Sequence, residues 1–179
     1  MNADLENKVV LVTGGAGGIG SVISKSFAEQ GARVIIHYNH SKDNAEKISK
    51  QIGGLAINAD LTDPKQTKEL FKHIIDKEGK IDVCIANAGK YPKDYAPLWE
   101  IESSRWDNTI STNLSLAFNT SRYFLKHVSE TKKGSLVLIG STAGIYGEAG
   151  HADYAAAKGA ITSGLLRTCL LYTSPSPRD

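Results

Sequence analysis

Val9-Val10-Leu11-Val12-Thr13-Gly14-Gly15-Ala16-Gly17-Gly18-Ile19-Gly20 joins an apolar run to a turn crowded with glycine. The run does not alternate between apolar and polar residues. It therefore predicts a strand buried on both faces, as in a parallel sheet. The glycines predict a tight turn into a helix, where a missing Cβ lets the backbone approach a ligand closely. The first N–H groups of such a helix have no intrahelical acceptor and suit an anion, most often a phosphate. The spacing is G-x-x-x-G-x-G at Gly14, Gly18 and Gly20, not the commoner G-x-G-x-x-G. On this stretch alone, a purely structural glycine turn stays open.

Outward from that turn, Ile19, Val22, Ile23 and Phe27 give one apolar face to a helix from about Gly18 to Gln30, with Gly31 placed to cap it. Residues 33–37 read as a second strand and residues 42–51 as a helix broken by Gly53-Gly54. A short third strand, 55–58, ends near Asp60. Thr62 or Asp63 can cap the next helix, which Pro64 opens and Gly79 stops. Residues 81–86 form a fourth strand running into Asn87-Ala88-Gly89. After an irregular segment, a long helix is expected over 103–129, its composition interrupted at 109–115. A fifth strand over 135–139 ends at Gly140-Ser141, a glycine-rich loop covers 142–150, and a last helix runs from 151–154 to about Leu171.

This alternation predicts an α/β chain with a Rossmann-type, doubly wound parallel sheet and helices on both faces. Ligands of such sheets sit beyond the carboxyl ends of the strands. The informative polar positions all fall there: Gly14–Gly20, Tyr38–Ser41, Asp60, Asn87–Gly89 and Ser141.

With 179 residues the chain can bury the core of one domain. An apolar share of 41% and a charged share of 22% are those of a soluble globular protein. A net charge of +2 points to neither nucleic acid nor an anionic membrane surface as a partner. No apolar run reaches the roughly 18 residues of a membrane helix, and the first residues lack a signal-peptide pattern, so the expected location is the cytoplasm. Cys84 and Cys169 provide neither a disulfide framework nor metal-ligand spacing, and Cys84 reads as a buried small hydrophobe.

Tyr154 and Lys158 lie one helical turn apart and share a face. A free phenol ionises near pH 10, too high for ready acid–base work at neutral pH, and an adjacent ammonium favours the phenolate. Taken alone, the pair also fits an ordinary surface contact. Ser141, at the end of the fifth strand, can hydrogen-bond a carbonyl, or simply serve a turn. Asn113 sits inside a helix, where its amide needs a partner from water or backbone. His151 and Asp153 read as helix-start residues.

These pieces together resemble the short-chain dehydrogenase/reductase family: Thr13-Gly-Gly-Ala-Gly-Gly-Ile-Gly20, Asp60, Asn87-Ala88-Gly89, Asn113, Ser141 and Tyr154-Ala-Ala-Ala-Lys158. The resemblance covers roughly residues 5–168 and is closest in pattern to 3-oxoacyl-carrier-protein reductases and sugar dehydrogenases. It implies that Gly14, Gly17, Gly18, Ile19 and Gly20 bind the pyrophosphate of a nicotinamide cofactor. It also implies that Asp60 and Leu61 face its adenine, and that Asn87, Ala88 and Gly89 support the sheet beside it. Tyr154 would be the general acid of carbonyl reduction and the base of alcohol oxidation. Lys158 would bind the nicotinamide ribose, Ser141 would orient the carbonyl, and Asn113 would hold a relay water. The implied partners are a small carbonyl or alcohol substrate and further copies of the chain, as a homodimer or homotetramer.

An acidic residue ending the second strand would select NAD. Here the positions hold Tyr38, Asn39, His40 and Ser41, followed by Lys42, so the expected cofactor is NADP ahead of NAD. A P-loop hydrolase would need Gly-Lys-Ser/Thr, and Gly18-Ile19-Gly20-Ser21 lacks the lysine. A nucleotide-binding scaffold without turnover is the other alternative, and the joint presence of Asn113, Ser141, Tyr154 and Lys158 argues against it. Residues 169–179 depart from the family pattern and are similar to the in-frame translation of a sequencing-library adaptor. They are expected to be a non-native tail on an incomplete domain spanning 1–168, truncated after the fifth strand and its helix.

Overall fold

The glycine-flanked apolar run forms β1 (Val9–Val12), with every side chain buried. The computed structural model describes residues 4–173. From β1 the chain passes through α1 (Gly18–Glu29), β2 (Arg33–Tyr38), α2 (Lys42–Ile52), β3 (Leu55–Asn58), α3 (Pro64–Glu78) and β4 (Val83–Ala86). After a single 3₁₀ turn at Leu98–Glu100 come α4 (Ser103–Ile110), a π-helical turn (Ser111–Ser115) and α5 (Leu116–Thr131). The chain then forms β5 (Ser135–Leu138), α6 (Ala143–Tyr146), α7 (Ala152–Gly159), a second π-helical turn (Ala160–Leu165) and α8 (Leu166–Thr173).

The strands form one five-stranded sheet in the order β3-β2-β1-β4-β5. β1 pairs in parallel with β2 (Val9 opposite Arg33) and with β4 (Val10 opposite Val83). The strand order reverses between β1 and β4, the topological switch point at which doubly wound sheets bind their ligands. Helices cover both faces, and Phe71 of α3 meets Tyr123 of α5 with ring centroids 6.2 Å apart. β1 and the middle of β2 are apolar without alternation because both faces are covered, whereas β5, at one end of the sheet, alternates and leaves Val137 exposed.

The helix ends follow local chemistry. Gly31 (φ 83°) closes α1 in a Schellman arrangement, with Ala32 N–H donating to Phe27 O and Gly31 N–H to Ala28 O. Asp63 caps α3 by accepting the Lys65 N–H at 2.8 Å, with Pro64 in the first turn. β4 starts at Val83, two residues later than expected. Ile81 N–H donates to His127 Nε2 at 3.2 Å, and the Asp82 carboxylate accepts the Val9 N–H at 2.8 Å, while the Asp82 backbone bonds Val9 O and the Ser135 N–H at 2.9 Å each.

The chain divides into two compact units: residues up to Ala88 with Asn119–Val137, and Gly89–Phe118 with the residues from Leu138 on. The first unit carries the sheet up to Val137. In the second, the expected long helix over 103–129 is broken at Ser111–Ser115, and the expected loop over 142–150 contains the one-turn helix α6. Ser141 Oγ accepts the Ala143 N–H at 3.2 Å to start α6, and Gly147 (φ 79°) ends it. The last helix is interrupted at Ala160–Leu165, and α8 continues through Thr173. Residues 174–179 of the expected tail, and 1–3 of the polar lead-in, lie outside the described residues.

Candidate active site

In the first unit the candidate binding feature is the turn after β1. Gly14 takes a left-handed conformation (φ 62°), open to glycine at little cost. Gly20 is buried, and a Cβ there would fall on Gly14 O and lie 2.7 Å from Asn87 Nδ2. Nothing lies within 4 Å of the position a Cβ would take on Gly18, and Gly17, Gly18 and Ile19 are exposed. Gly17 occupies the N-cap of α1 without a side-chain cap, so no side chain closes off the first N–H groups of the helix. That is a fitting cradle for an anionic group such as a pyrophosphate.

Five side chains hold the turn, among them Asn44, whose amide donates to Ala16 O at 2.6 Å, and Ser24, whose hydroxyl donates to Gly15 O at 3.3 Å. The Asn87 amide donates to Thr13 O (2.9 Å) and Gly14 O (3.2 Å). The Thr13 hydroxyl donates to Ile85 O (3.3 Å) and accepts the N–H groups of Asn87 and Ala88, each at 3.0 Å. His37, buried in β2, accepts the Gly14 N–H on Nδ1 at 3.1 Å and meets Ala59 O through Nε2 at 2.9 Å. Asn87 was among the expected site residues. Thr13 belongs to the glycine motif, and His37 stands in the second strand. A polar ring in a buried strand was the available signal, because such a ring must find partners.

Asp60 accepts both the N–H (2.9 Å) and the hydroxyl (2.7 Å) of Thr62 on Oδ1, which fixes the turn after β3. Leu61 is buried, and its carbonyl accepts Asn119 Nδ2 at 2.9 Å. At the end of β2, Tyr38 is half-buried, whereas Asn39 and Ser41 are exposed. The backbone carbonyls of Tyr38 and Asn39 are held by Asn58 Nδ2, at 3.2 and 2.6 Å. Ser41 is the N-cap residue of α2 but makes no side-chain cap bond.

In the second unit the structure brings Gly89, Asn113, Tyr154 and Lys158 together. Asn113 is fully buried at the centre of the π-helical turn. Its amide donates to Lys90 O (2.9 Å) and Thr109 O (3.0 Å), and its Oδ1 accepts the Lys90 N–H (3.2 Å). The backbone thus supplies the partner the amide required. A π-helical turn of this kind commonly marks a functional position. A Cβ on Gly89 would lie 2.8 Å from Asn113 Oδ1 and 3.6 Å from Lys158 Nζ, so glycine gives both groups room.

Lys158 Nζ donates to Ile139 O at 2.9 Å and lies 5.8 Å from the centroid of the Tyr154 ring. Burial lowers the lysine pKa below its usual value. β5 ends at Leu138, one residue sooner than expected, and the bond to Ile139 O ties the ammonium to the segment that carries Ser141. Ser141 is half-buried, with its hydroxyl serving as the acceptor that starts α6. Tyr91 stands edge-on to Tyr154 at 5.0 Å, stacks on His151 at 4.7 Å, and donates its hydroxyl to Glu148 at 2.6 Å. Nothing in the sequence pattern singled out Tyr91. Cys84 is buried as expected, and among the described residues no cluster of His, Cys, Asp or Glu suits a metal ion.

The family model of the short chain dehydrogenases matches residues 8–170. The chain belongs to this family. It is 37% identical over 162 residues to the 3-oxoacyl-[acyl-carrier-protein] reductase of Thermotoga maritima, covering 88% of this chain and 65% of that protein. The corresponding reductase of Vibrio cholerae is 36% identical over 162 residues, covering 88% and 64%. Versicolorin reductase 1 of Aspergillus parasiticus is 34% identical over 166 residues, covering 89% and 62%. The crystal structure of an NAD+-bound xylitol dehydrogenase matches with a TM-score of 0.89 at 27% identity, over 96% of this chain and 67% of that one. The chain therefore spans about two thirds of the length of these relatives. No helix among the described residues is long and apolar enough to cross a membrane.

Membership of the family implies a nicotinamide cofactor. The glycine cradle fits one, because its crowded positions at Gly14 and Gly20 exclude a Cβ while its outer face at Gly18 is open. Gly14, Gly17, Gly18, Ile19 and Gly20 make up that cradle.

Proposed function

We propose that this chain carries the cofactor-binding and proton-transferring parts of an NAD(P)-dependent oxidoreductase acting on a carbonyl or secondary alcohol. The bound nicotinamide supplies the hydride; the protein supplies position and a proton. Tyr154 gives its phenolic proton to the developing alkoxide in reduction and takes it back in oxidation. Lys158 favours the phenolate through its charge, and Ser141 orients the carbonyl oxygen. Asn113 acts in the relay that returns a proton from solvent. The observation that carries this reading is the buried Lys158 ammonium, fixed on Ile139 O and 5.8 Å from the Tyr154 ring. A buried cation held this close to a phenol is unlike a solvated surface pair.

NADP is the favoured cofactor. The end of β2 presents Tyr38, Asn39, the uncommitted Ser41 hydroxyl and exposed Lys42, which lies 3.8 Å from Glu46, and residues 38–41 include no acidic side chain to repel a 2′-phosphate. Dissociation constants for NADPH and NADH, measured side by side by fluorescence, test this preference, and tighter NADH binding refutes it. The relatives' names favour a 3-oxoacyl thioester or a polyol as substrate class. The working state is a cytoplasmic homo-oligomer, consistent with the exposed Trp106 of α4 and Phe118 of α5.

The test of the chemistry is Tyr154→Phe. Carbonyl-dependent NADPH oxidation is expected to vanish while NADPH binding is unchanged. Equal turnover by the variant and the parent refutes the role of Tyr154. NADPH binding without turnover by the parent chain favours a nucleotide-binding protein without catalysis.

A further inference from the structure

A charged pair beside Tyr154 takes no part in the chemistry described so far. Asp153 precedes Tyr154 in the first turn of α7 and is fully buried. Arg105 of α4 grips both of its oxygens, Nε to Oδ2 at 3.0 Å and Nη2 to Oδ1 at 3.2 Å. Thr109, one turn further along α4, donates to Oδ2 at 2.8 Å. The same guanidinium donates to Asp94 O at 2.8 Å and to Gly150 O at 3.1 Å. One side chain thereby ties the segment before α4, the turn before α7 and the residue next to Tyr154.

An exposed aspartate would serve as well to complement the dipole at a helix start. Burying an ion pair is a poor route to stability, since desolvation commonly offsets the Coulombic gain, and fixing one geometry is the better-attested use. Here the geometry fixed is the rotation of α7 about its own axis. The Tyr154 hydroxyl stands roughly 8 Å from that axis, so a rotation of about 10° displaces it by about 1.4 Å. A misplacement of that size at a reacting group costs on the order of 100-fold in rate.

We propose that Arg105 and Asp153, with Thr109, are positioning residues that hold α7 in the one rotation that presents the Tyr154 hydroxyl to the reacting oxygen. The proposal rests on the reading of Tyr154 as the general acid. Neither Arg105 nor Asp153 touches the substrate in this scheme.

The test uses the whole chain labelled with [13Cζ]tyrosine, the Tyr154 signal being assigned by its loss in Tyr154→Phe. Arg105→Lys keeps the charge and loses the fork. The double variant Arg105→Met/Asp153→Leu removes the pair without leaving a buried charge, a replacement that commonly keeps or raises stability. In both, well below the melting temperature, the Tyr154 signal is expected to move while those of Tyr38 and Tyr123 stay. Turnover is expected to fall about 100-fold with the NADPH dissociation constant unchanged. An unmoved Tyr154 signal in the folded double variant overturns the proposal. So does failure of both variants to fold, which assigns the pair to stability alone. Should Tyr154→Phe retain turnover while the signal still moves in the pair variants, the general-acid reading fails and the fixing of α7 by the pair stands.

Discussion

Acid should loosen the glycine turn before it reaches the carboxylates. His37 is 2% exposed. Its Nδ1 accepts the Gly14 N–H, so that nitrogen carries no proton, and the neutral ring donates from Nε2 to Ala59 O. Burial pushes the ring's pKa down to about 4, against the Ala59 carbonyl and the Asp60 charge, which push it up. In the unfolded chain the ring titrates near 6.5. Between these values the unfolded state binds a proton that the folded state does not. Stability is therefore fully present above about pH 6.5 and declines as the pH falls toward 4. The gap corresponds to about 3 kcal/mol, of which roughly 2.5 kcal/mol is lost by about pH 4.5.

The carboxylates act in a different window. Burial pushes Asp82 and Asp153 up, but the Val9 N–H and Lys80 at Asp82, and Arg105 and Thr109 at Asp153, hold both below the usual carboxylate range. Their contribution is present above about pH 4 and is lost only below it. Urea unfolding followed by circular dichroism, from about pH 7 to about pH 4.5, isolates the histidine when the chain is compared with His37→Gln. The variant is less stable at neutral pH, yet its stability should decline less with acid, by about 2.5 kcal/mol over that range. Parallel pH profiles for the two proteins refute the assignment. Protonation also removes the acceptor for Gly14 N–H, so NADPH affinity should weaken over the same interval.

Other substitutions probe the same supports. Thr13→Val leaves the Ala88 N–H without its acceptor, whereas the Asn87 N–H keeps Ile85 O at 2.9 Å. It should cost about 1–3 kcal/mol in urea unfolding, with Thr13→Ser retaining most of the stability. Gly20→Ala places a methyl on Gly14 O and Asn87 Nδ2. An NADPH titration should show at least a roughly tenfold loss of affinity, about 1.4 kcal/mol. Gly144→Ala drives a Cβ to 2.6 Å from the backbone of Lys158 and Gly159. It should lower stability by about 1–3 kcal/mol through overpacking, and an unchanged thermal midpoint would show that α6 and α7 need no such close approach.

What the sequence made legible was local or periodic. The run Val9–Val12 declared a buried strand because it fails to alternate, and Gly31, Gly53 and Gly79 marked helix ends because each takes a positive φ there. Asn113 announced a buried amide in need of a partner, but not that its own helix would open into a π-helical turn around it. That turn depends on Lys90, 23 residues away, whose peptide pairs with the amide at both ends. α6 was hidden by glycines that suggest a loop, although Ser141 supplies the side-chain bond that starts a helix.

Least legible were the polar anchors that join distant segments. Arg105 and Asp153 lie 48 residues apart, and nothing periodic connects them. Asp153 reads as a helix-start residue, and nothing in the sequence pattern singles out Arg105. His37 was halfway legible: a polar ring inside Val34-Ile35-Ile36-His37 states a need for two partners without naming them. The partners proved to be the peptide of Gly14 and the carbonyl of Ala59. A glycine turn is the element least able to hold its own shape, since glycine restricts its backbone least. The rigidity of this turn must come from elsewhere, and here it comes from His37, Thr13, Asn87, Asn44 and Ser24. The motif shows where a ligand can approach, whereas the side chains that make the turn worth approaching stand outside its glycine spacing.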